Sequence, residues 1–415
     1  MSRFVQLHQL TSYPPANLNR DDLGRPKTAK MGGVDRLRVS SQSLKRAWRA
    51  SEIFENIVSD GGKIKEFFEQ NQPEHIGFRS KMFAEQWISK YLQERQIDSD
   101  VAALWAEEFS RAFGQVESEE NKLSQLAHIS DLEAQGLYYS TLELVEFLNS
   151  KKENEIFANV RDLQESRKTK KKPDEIKKLN GKIMDILSKK FLQTGKTSVD
   201  IALFGRMLAS TPAYNVEAAC QVAHAISVHP VVIEDDYFTA VDDLNDGSKD
   251  AGAAHIGETG FAAGLFYSYI CLNCELLESN LGGDKALAQR AIKALIEAAV
   301  KVAPEGKQNS FGSRAYASYV LVEKGDQQPR SLSVAFLKPI MGSDYGTDAI
   351  QALTAHMNNM DEVYGNCAES RFYVNALCGE GGACLPQVVE QTQKTEKEGK
   401  GDKTLFTKLL DFVSN

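Results

Sequence analysis

Residues 36–49, RLRVSSQSLKRAWR, carry five basic side chains, three serines and a glutamine. These residue types suit the capture of anionic oxygens. Guanidinium and ammonium groups supply charge, while hydroxyl and backbone N–H groups supply direction. The first half alternates as a strand, with Arg36, Arg38 and Ser40 on one face and Leu37 and Val39 on the other. From Ser41 the spacing turns helical. Leu44, Ala47, Trp48, Phe54, Ile57 and Val58 form an apolar stripe, and Lys45, Arg49 and Glu52 lie on another face. Ser40 or Ser41 is the expected N-cap. Lys45 and Arg46 then stand near a helix start, where each cation opposes the dipole by roughly 0.3–1 kcal/mol. Lys45 and Arg49, four apart, also repel each other. A bound anion reverses both penalties. The plainer alternative is a solvated amphipathic helix whose first turn is basic. The junction reads better as a phosphate site, because strand and helix cations converge there.

The preceding loop, SYPPANLNRDDLGRPKTAKMGG (12–33), adds Arg20, Arg25, Lys27 and Lys30. Gly32 and Gly33 would let backbone approach a ligand closely. One phosphate does not need so many cations, whereas a chain of phosphates does. A polynucleotide is favoured over a mononucleotide.

These residues need a scaffold. FVQLHQL (4–10) reads as a first strand, followed by the strand RLRVS and a helix to about Val58. Residues 60–190 read as helical with no strand, acidic over 100–146 and basic over 167–190. SVDIALFGRMLA (198–209) reads as a strand and VEAACQVAHAISVH (216–229) as an apolar helix. Residues 231–261 suggest a long exposed hairpin. FAAGLFYSYICLNCEL is a strand, and Asp284 caps a helix ending near Gly306. SYVLVEKG and LSVAF are further strands, and residues 391–404 form a mobile loop. The sum is one α+β domain with a helical insertion and a long hairpin insertion.

The chain has 415 residues, 42% of them apolar, and a net charge of −8. Total charge therefore does not advertise nucleic-acid binding; the distribution of charge matters more than its sum. No apolar run approaches the roughly 18 residues of a membrane span, and MSRFVQLHQLTSYPP lacks the apolar stretch of a signal peptide. Six cysteines in this length suggest reduced thiols and a cytoplasmic protein. Cys271 and Cys274 form a CxxC inside an apolar run, which reads as buried strand cysteines rather than a metal site. No P-loop or GxGxxG follows a strand, and neither metal nor cofactor is expected.

LNRDD (18–22) followed by RVSSQSLKRAWR resembles the CasC-type backbone subunit of the type I-E Cascade complex, in the seventh family of CRISPR-associated proteins. VDIALFGRM (199–207), YFTAVDDL (237–244) and AHIGETGFAAGLFYSY (254–269) extend the likeness in the family's order over roughly residues 1–300. The resemblance implies an RRM-like (ferredoxin-like) palm at 1–59, 193–228 and 262–415. It also implies helical fingers at 60–192 and a thumb hairpin at 229–261. It implies a non-catalytic protein that polymerises head to tail along CRISPR RNA, kinks the guide at regular intervals and presents it to a target DNA strand. The other implied partners are a large subunit, a small subunit and guide-end-binding subunits; no membrane is involved. Guide phosphates and sugars would be held by Arg20, Lys27, Arg38, Ser40, Gln42, Lys45, Arg46 and Arg49. Met207, after Arg206, could wedge against a base step or be ordinary core. Phe238 and Thr239, flanked by aspartates, could stack on the displaced base. The basic block from Lys168 to Lys182 could guide target DNA, with Lys177, Lys178 and Lys182 as its candidates, or be a solvated face.

Two other readings remain. A metal-dependent ribonuclease could use Asp21 and Asp22 or Asp242 and Asp243, although adjacent residues diverge in extended chain and Asp21 and Asp22 more simply brace the local arginines. A stand-alone RNA-binding regulator would show a short footprint and no assembly that grows with RNA length.

Overall fold

A strand buried along most of its length organises the first part of the fold. In the computed structural model Phe4–Ala16 (β1) keeps Val5 to Thr11 almost wholly inside, polar residues included. The structure describes residues 2–68, 70–117, 122–150, 187–192, 195–240, 255–377 and 404–414. The chain divides into two units. The first comprises Met1–Phe54, Cys220–Cys274 and Ile292–Asn415, the second Glu55–Ala219 and Glu275–Ala291.

In the first unit, β1 is joined by Thr28–Met31 (β2), Val34–Val39 (β3), Cys220–Val222 (β4), Ala225–Ser227 (β5), Glu234–Ala240 (β6), His255–Asn273 (β7), Tyr319–Gly325 (β8) and Ser370–Asn375 (β9). Among the described residues they form a nine-stranded antiparallel sheet in the order β9-β8-β1-β7-β5-β3-β2, with β4 and β6 also paired to β7. β1 lies centrally, bonded to β7 from Phe4↔Asn273 and to β8 from Phe4↔Gly325. The register shifts between Tyr13 and Ala16, at Pro14 and Pro15, which cannot donate to a ladder. The helix Tyr345–Tyr364 buries Ala349, Ile350, Leu353 and Met357 against Leu10, Tyr267, Tyr319 and Leu321 of the sheet. Its N-cap is Asp344, which accepts from Thr347 N–H at 3.1 Å.

Buried polar residues of β1 find partners across the sheet, among them Gln6, whose Oε1 accepts from Tyr269 Oη at 2.8 Å. His8 Nδ1 meets Tyr267 Oη at 2.8 Å and His8 Nε2 meets Glu323 at 3.2 Å. Glu323 also accepts from Arg330 at 2.6 and 3.1 Å and from Arg371 at 2.7 Å, and Arg371 continues to Asp361. A buried charge is tolerated when it is paired this completely.

The second unit has its own aromatic core, in which Phe68 stacks on Trp87 at 5.5 Å and Phe109 meets Phe191 at 4.8 Å. Asp200 binds His128 Nε2 at 2.7 Å and accepts from Gly77 N–H and Ser198 Oγ, each at 2.9 Å.

Several expected elements are different. Residues 198–209 are not a strand: Val199–Phe204 is a helix, ended by Gly205 at φ +76. Residues 216–229 are not a helix but supply β4 and β5. Both are short apolar runs, whose periodicity does not separate the two states; pairing with β7 decides the second. LSVAF forms a 3-10 turn at Ser333–Phe336. The 60–190 region contains strand pairs, Ile64–Phe67 with Gln70–Pro73 and Phe78–Ser80 with Ala127–Ile129 among them. The helix capped by Asp284 ends at Lys301.

Candidate nucleic-acid interface

Ser41–Arg49 (α1) begins where β3 ends. Ser40 is extended, at φ −68 and ψ 146, and its hydroxyl accepts from Ser43 N–H at 3.3 Å. Leu44, Ala47 and Trp48 bury one face, as their spacing predicts. Gln42 and Arg46 are exposed on the other, and Lys45 and Arg49 are half-buried. The helix is shorter than expected, and that changes the charge argument. Arg46 and Arg49 occupy its last turn, where cations favour the dipole. The first turn has no acidic residue.

The loop before β2 is held against this helix start through backbone. Asn19 Oδ1 accepts from Ser40 N–H at 2.9 Å, and Asn19 O accepts from Lys27 N–H at 2.8 Å. Lys27 O in turn accepts from Arg38 N–H at 2.8 Å. One asparagine thus ties Lys27, Arg38 and Ser40 to a common frame. Beside it opens a groove of about 480 Å³ lined by Asn19, Arg20, Ser43, Arg46, Asp22 and Glu305 among others. Among the described residues the guanidinium groups of Arg20 and Arg46 and the ammonium of Lys27 make no ion pair. Two arginines on one groove wall, without carboxylate partners, are poised for phosphate. The carboxylates in the wall belong to Asp21, Asp22 and Glu305.

Other expected residues fall elsewhere. Arg36 does not share a surface with Arg38. It is fully buried, and its guanidinium donates to the carbonyls of Met31 at 3.3 Å, Ser227 at 3.0 Å and Phe336 at 2.9 Å. Burial lowers its basicity. Simple alternation fails because this end of the sheet is covered on both faces. Gly32 approaches the chain itself rather than a ligand. At φ +64, a Cβ there would lie 1.7 Å from Leu337 O. Asp21 does not brace arginine side chains: its Oδ1 accepts the N–H groups of Leu23 at 3.0 Å and Arg25 at 2.9 Å. The Arg25 guanidinium goes to Asp235 at 2.8 Å.

Met207 belongs to the second unit and is 80% exposed, so it is not core. Arg206, beside it, is buried in an ion pair with Glu133 and donates to His128 O at 3.1 Å and Tyr214 O at 3.2 Å. Phe238 and Thr239 lie on β6, which pairs with the start of β7 and is exposed throughout. The Phe238 ring covers its cross-strand partner Gly257, where a Cβ would come within 2.3 Å of it. Cys271 and Cys274 are buried thiols. Lys177, Lys178, Lys182, Asp242 and Asp243 lie outside the described residues. Among the described residues no group of three or more His, Cys, Asp or Glu gathers as a metal site.

Sequence reasoning missed His224. It lies in the turn between β4 and β5, and its Nδ1 is 3.3 Å from both Arg38 Nη1 and Ser41 N. No local pattern marks it, because it reaches the helix start from 183 positions away. Asn17 and Asn19 were also missed, though both sit in the quoted loop.

Residues 5–396 match the family described as CT1975-like protein. No curated protein matches the chain. Among solved structures, a chain of a "CRISPR RNA-guided surveillance complex, pre-nicking" is 28% identical, with a TM-score of 0.72 and 99% of each chain covered. A chain of another "CRISPR RNA-guided surveillance complex" is 23% identical with a TM-score of 0.54, covering 99% of this chain and 98% of that one, a likeness of fold. With a match that runs over nearly its whole length, the chain belongs to the CT1975-like family.

Proposed function

We propose that this chain is the non-catalytic backbone subunit of a type I-E Cascade complex, one that binds CRISPR RNA along its phosphates. The observation that carries the reading is the groove beside α1, where Arg20 and Arg46 face the same space without ion-pair partners among the described residues. The likeness to a chain of an RNA-guided surveillance complex over 99% of both lengths supports it. In this reading the large sheet is an RRM-like palm and the β6–β7 hairpin a thumb. Lys27, Arg38, Ser40, Gln42, Lys45 and Arg49 complete the guide contacts; Phe238 and Thr239 stack on the displaced base, and Met207, for its part, wedges against a base step. Copies stack head to tail, other Cascade subunits close the ends, and Lys177, Lys178 and Lys182 face the target strand. Holding backbone rather than base edges lets any spacer bind.

The test is assembly. Mixed with single-stranded RNA of increasing length, the protein should form particles whose mass rises stepwise with RNA length. Arg20→Glu with Arg46→Glu should abolish the growth while leaving the fold intact. A fixed particle size would refute the backbone role, and turnover of labelled RNA in magnesium would refute the non-catalytic one.

A further inference from the structure

His224 sits exposed at the junction of β3, α1 and the β4–β5 turn, with one nitrogen engaged and the other open. We propose that His224 is a further ligand of the RNA backbone, a neutral imidazole that presents Nε2–H to a phosphate oxygen beside the start of α1. The inference rests on the RNA-binding reading above.

The tautomer follows from the donors around Nδ1. Arg38 Nη1 and Ser41 N both lie 3.3 Å from it. A guanidinium and a backbone N–H can only donate, so Nδ1 must accept and the ring proton resides on Nε2. Among the described residues Nε2 has no hydrogen-bond partner. Partial desolvation, with Arg38 and Lys27 nearby, holds the imidazole below its ordinary value, the same direction as the neutral form that two donors at Nδ1 require. The groups that face the imidazole are therefore donors, the Arg38 guanidinium and the Ser41 N–H. Nδ1 accepts from these two, and Nε2–H is the donor left without an acceptor among the described residues. The acceptor that recurs at every nucleotide, whatever its base, is the phosphate oxygen.

A neutral donor leaves a distinct signature. It adds hydrogen-bond affinity without displacing a counterion, so it does not contribute to the salt dependence of binding, whereas each arginine contact does. Side-chain geometry separates this role from a merely structural one. Glutamine can place its amide N–H where Nε2 stands, and asparagine can place its carbonyl where Nδ1 stands.

The experiment measures binding of a fluorescent single-stranded oligouridylate by the full chain across a salt series. His224→Ala should weaken binding about tenfold, the worth of a hydrogen bond to a charged group, with an unchanged log–log salt slope. His224→Gln should restore binding to within about twofold, and His224→Asn should not. The inference is overturned if alanine binds as wild type does. It is also overturned if asparagine rescues and glutamine fails, which would make His224 a clasp for the helix start only. A salt slope that falls with His224→Ala would overturn it too, because the contact would then be cationic. Arg20→Glu with Arg46→Glu, run in parallel, keeps the two ideas apart. Loss there without loss at His224 sinks this inference alone, while a wild-type chain that fails to retain RNA sinks both.

Discussion

The Asn17 side-chain amide donates to the carbonyls of Gly24 and Gly260, each at 2.9 Å, so a single residue fastens the groove loop to the base of the β6–β7 hairpin. Two further contacts run the same way. Arg25 meets Asp235 at 2.8 Å, and Lys307 Nζ donates to Thr259 Oγ1 at 3.0 Å. The Arg25 pair is exposed and contributes little energy. Asn17 is fully buried, and its loss strands the buried Gly260 carbonyl away from water.

Asn17→Ala should therefore cost roughly 1–3 kcal/mol in urea unfolding, the penalty of one orphaned buried carbonyl. It should also weaken RNA binding more than any equally destabilising core substitution, such as Leu353→Ala. Equal RNA affinity in the two variants would show that the loop needs no anchor at the hairpin.

Arg20→Ala and Arg46→Ala should each lower the slope of log affinity against log salt by about 0.7, the value for one single-strand phosphate contact. If the two side chains hold different phosphates, the double substitution should lower it by the sum. Filter binding between low and moderate salt measures this, and an unchanged slope would remove the groove from the interface.

Gly257→Ala should disturb Phe238 without unfolding the protein. The new Cβ would meet the ring at 2.3–2.9 Å, and the ring is the part that must move. If Phe238 stacks on a displaced base, fluorescence of 2-aminopurine at that position should change in the Gly257→Ala complex as it does in Phe238→Ala. Overall RNA affinity should fall about five- to 150-fold, since stacking at one base contributes about 1–3 kcal/mol.

Stability should decline as pH falls from 7 to 5. Burial outweighs the Glu323 contact and lowers the pKa of His8 from 6.5, so His8 stays neutral when folded and takes up a proton when unfolded. Its contribution is neutral above pH 6.5 and grows unfavourable as pH falls from there toward the folded value. Glu323 acts at lower pH. Burial alone would raise its pKa, but hydrogen bonds from His8 and Arg330 hold the carboxyl well below the usual range. The stability it supplies is present above the ordinary carboxylate value and is lost in acid. Urea midpoints at pH 7.5 and 5.5 measure the first effect, and His8→Asn should flatten it.

The parts of the site that were legible in the sequence are those in which neighbours along the chain do the work. Ser40 caps α1 because its hydroxyl lies three residues from the N–H it accepts, and Leu44, Ala47 and Trp48 bury one face because a helix returns to the same side at that spacing. The alternation that exposed Arg36 was misleading, since a two-residue period assigns faces but not what covers them. Phe336 O and Ser227 O, which cover it, come from 300 and 191 residues away.

By itself the sequence determined where cations, serines and a helix start would coincide, because capping, periodicity and charge are local properties carried by adjacent residues. Only the tertiary structure decided which cations face a groove, which one is buried, and that His224 joins them. Those outcomes depend on hydrogen bonds and burial between segments hundreds of residues apart, and no local pattern encodes such distances.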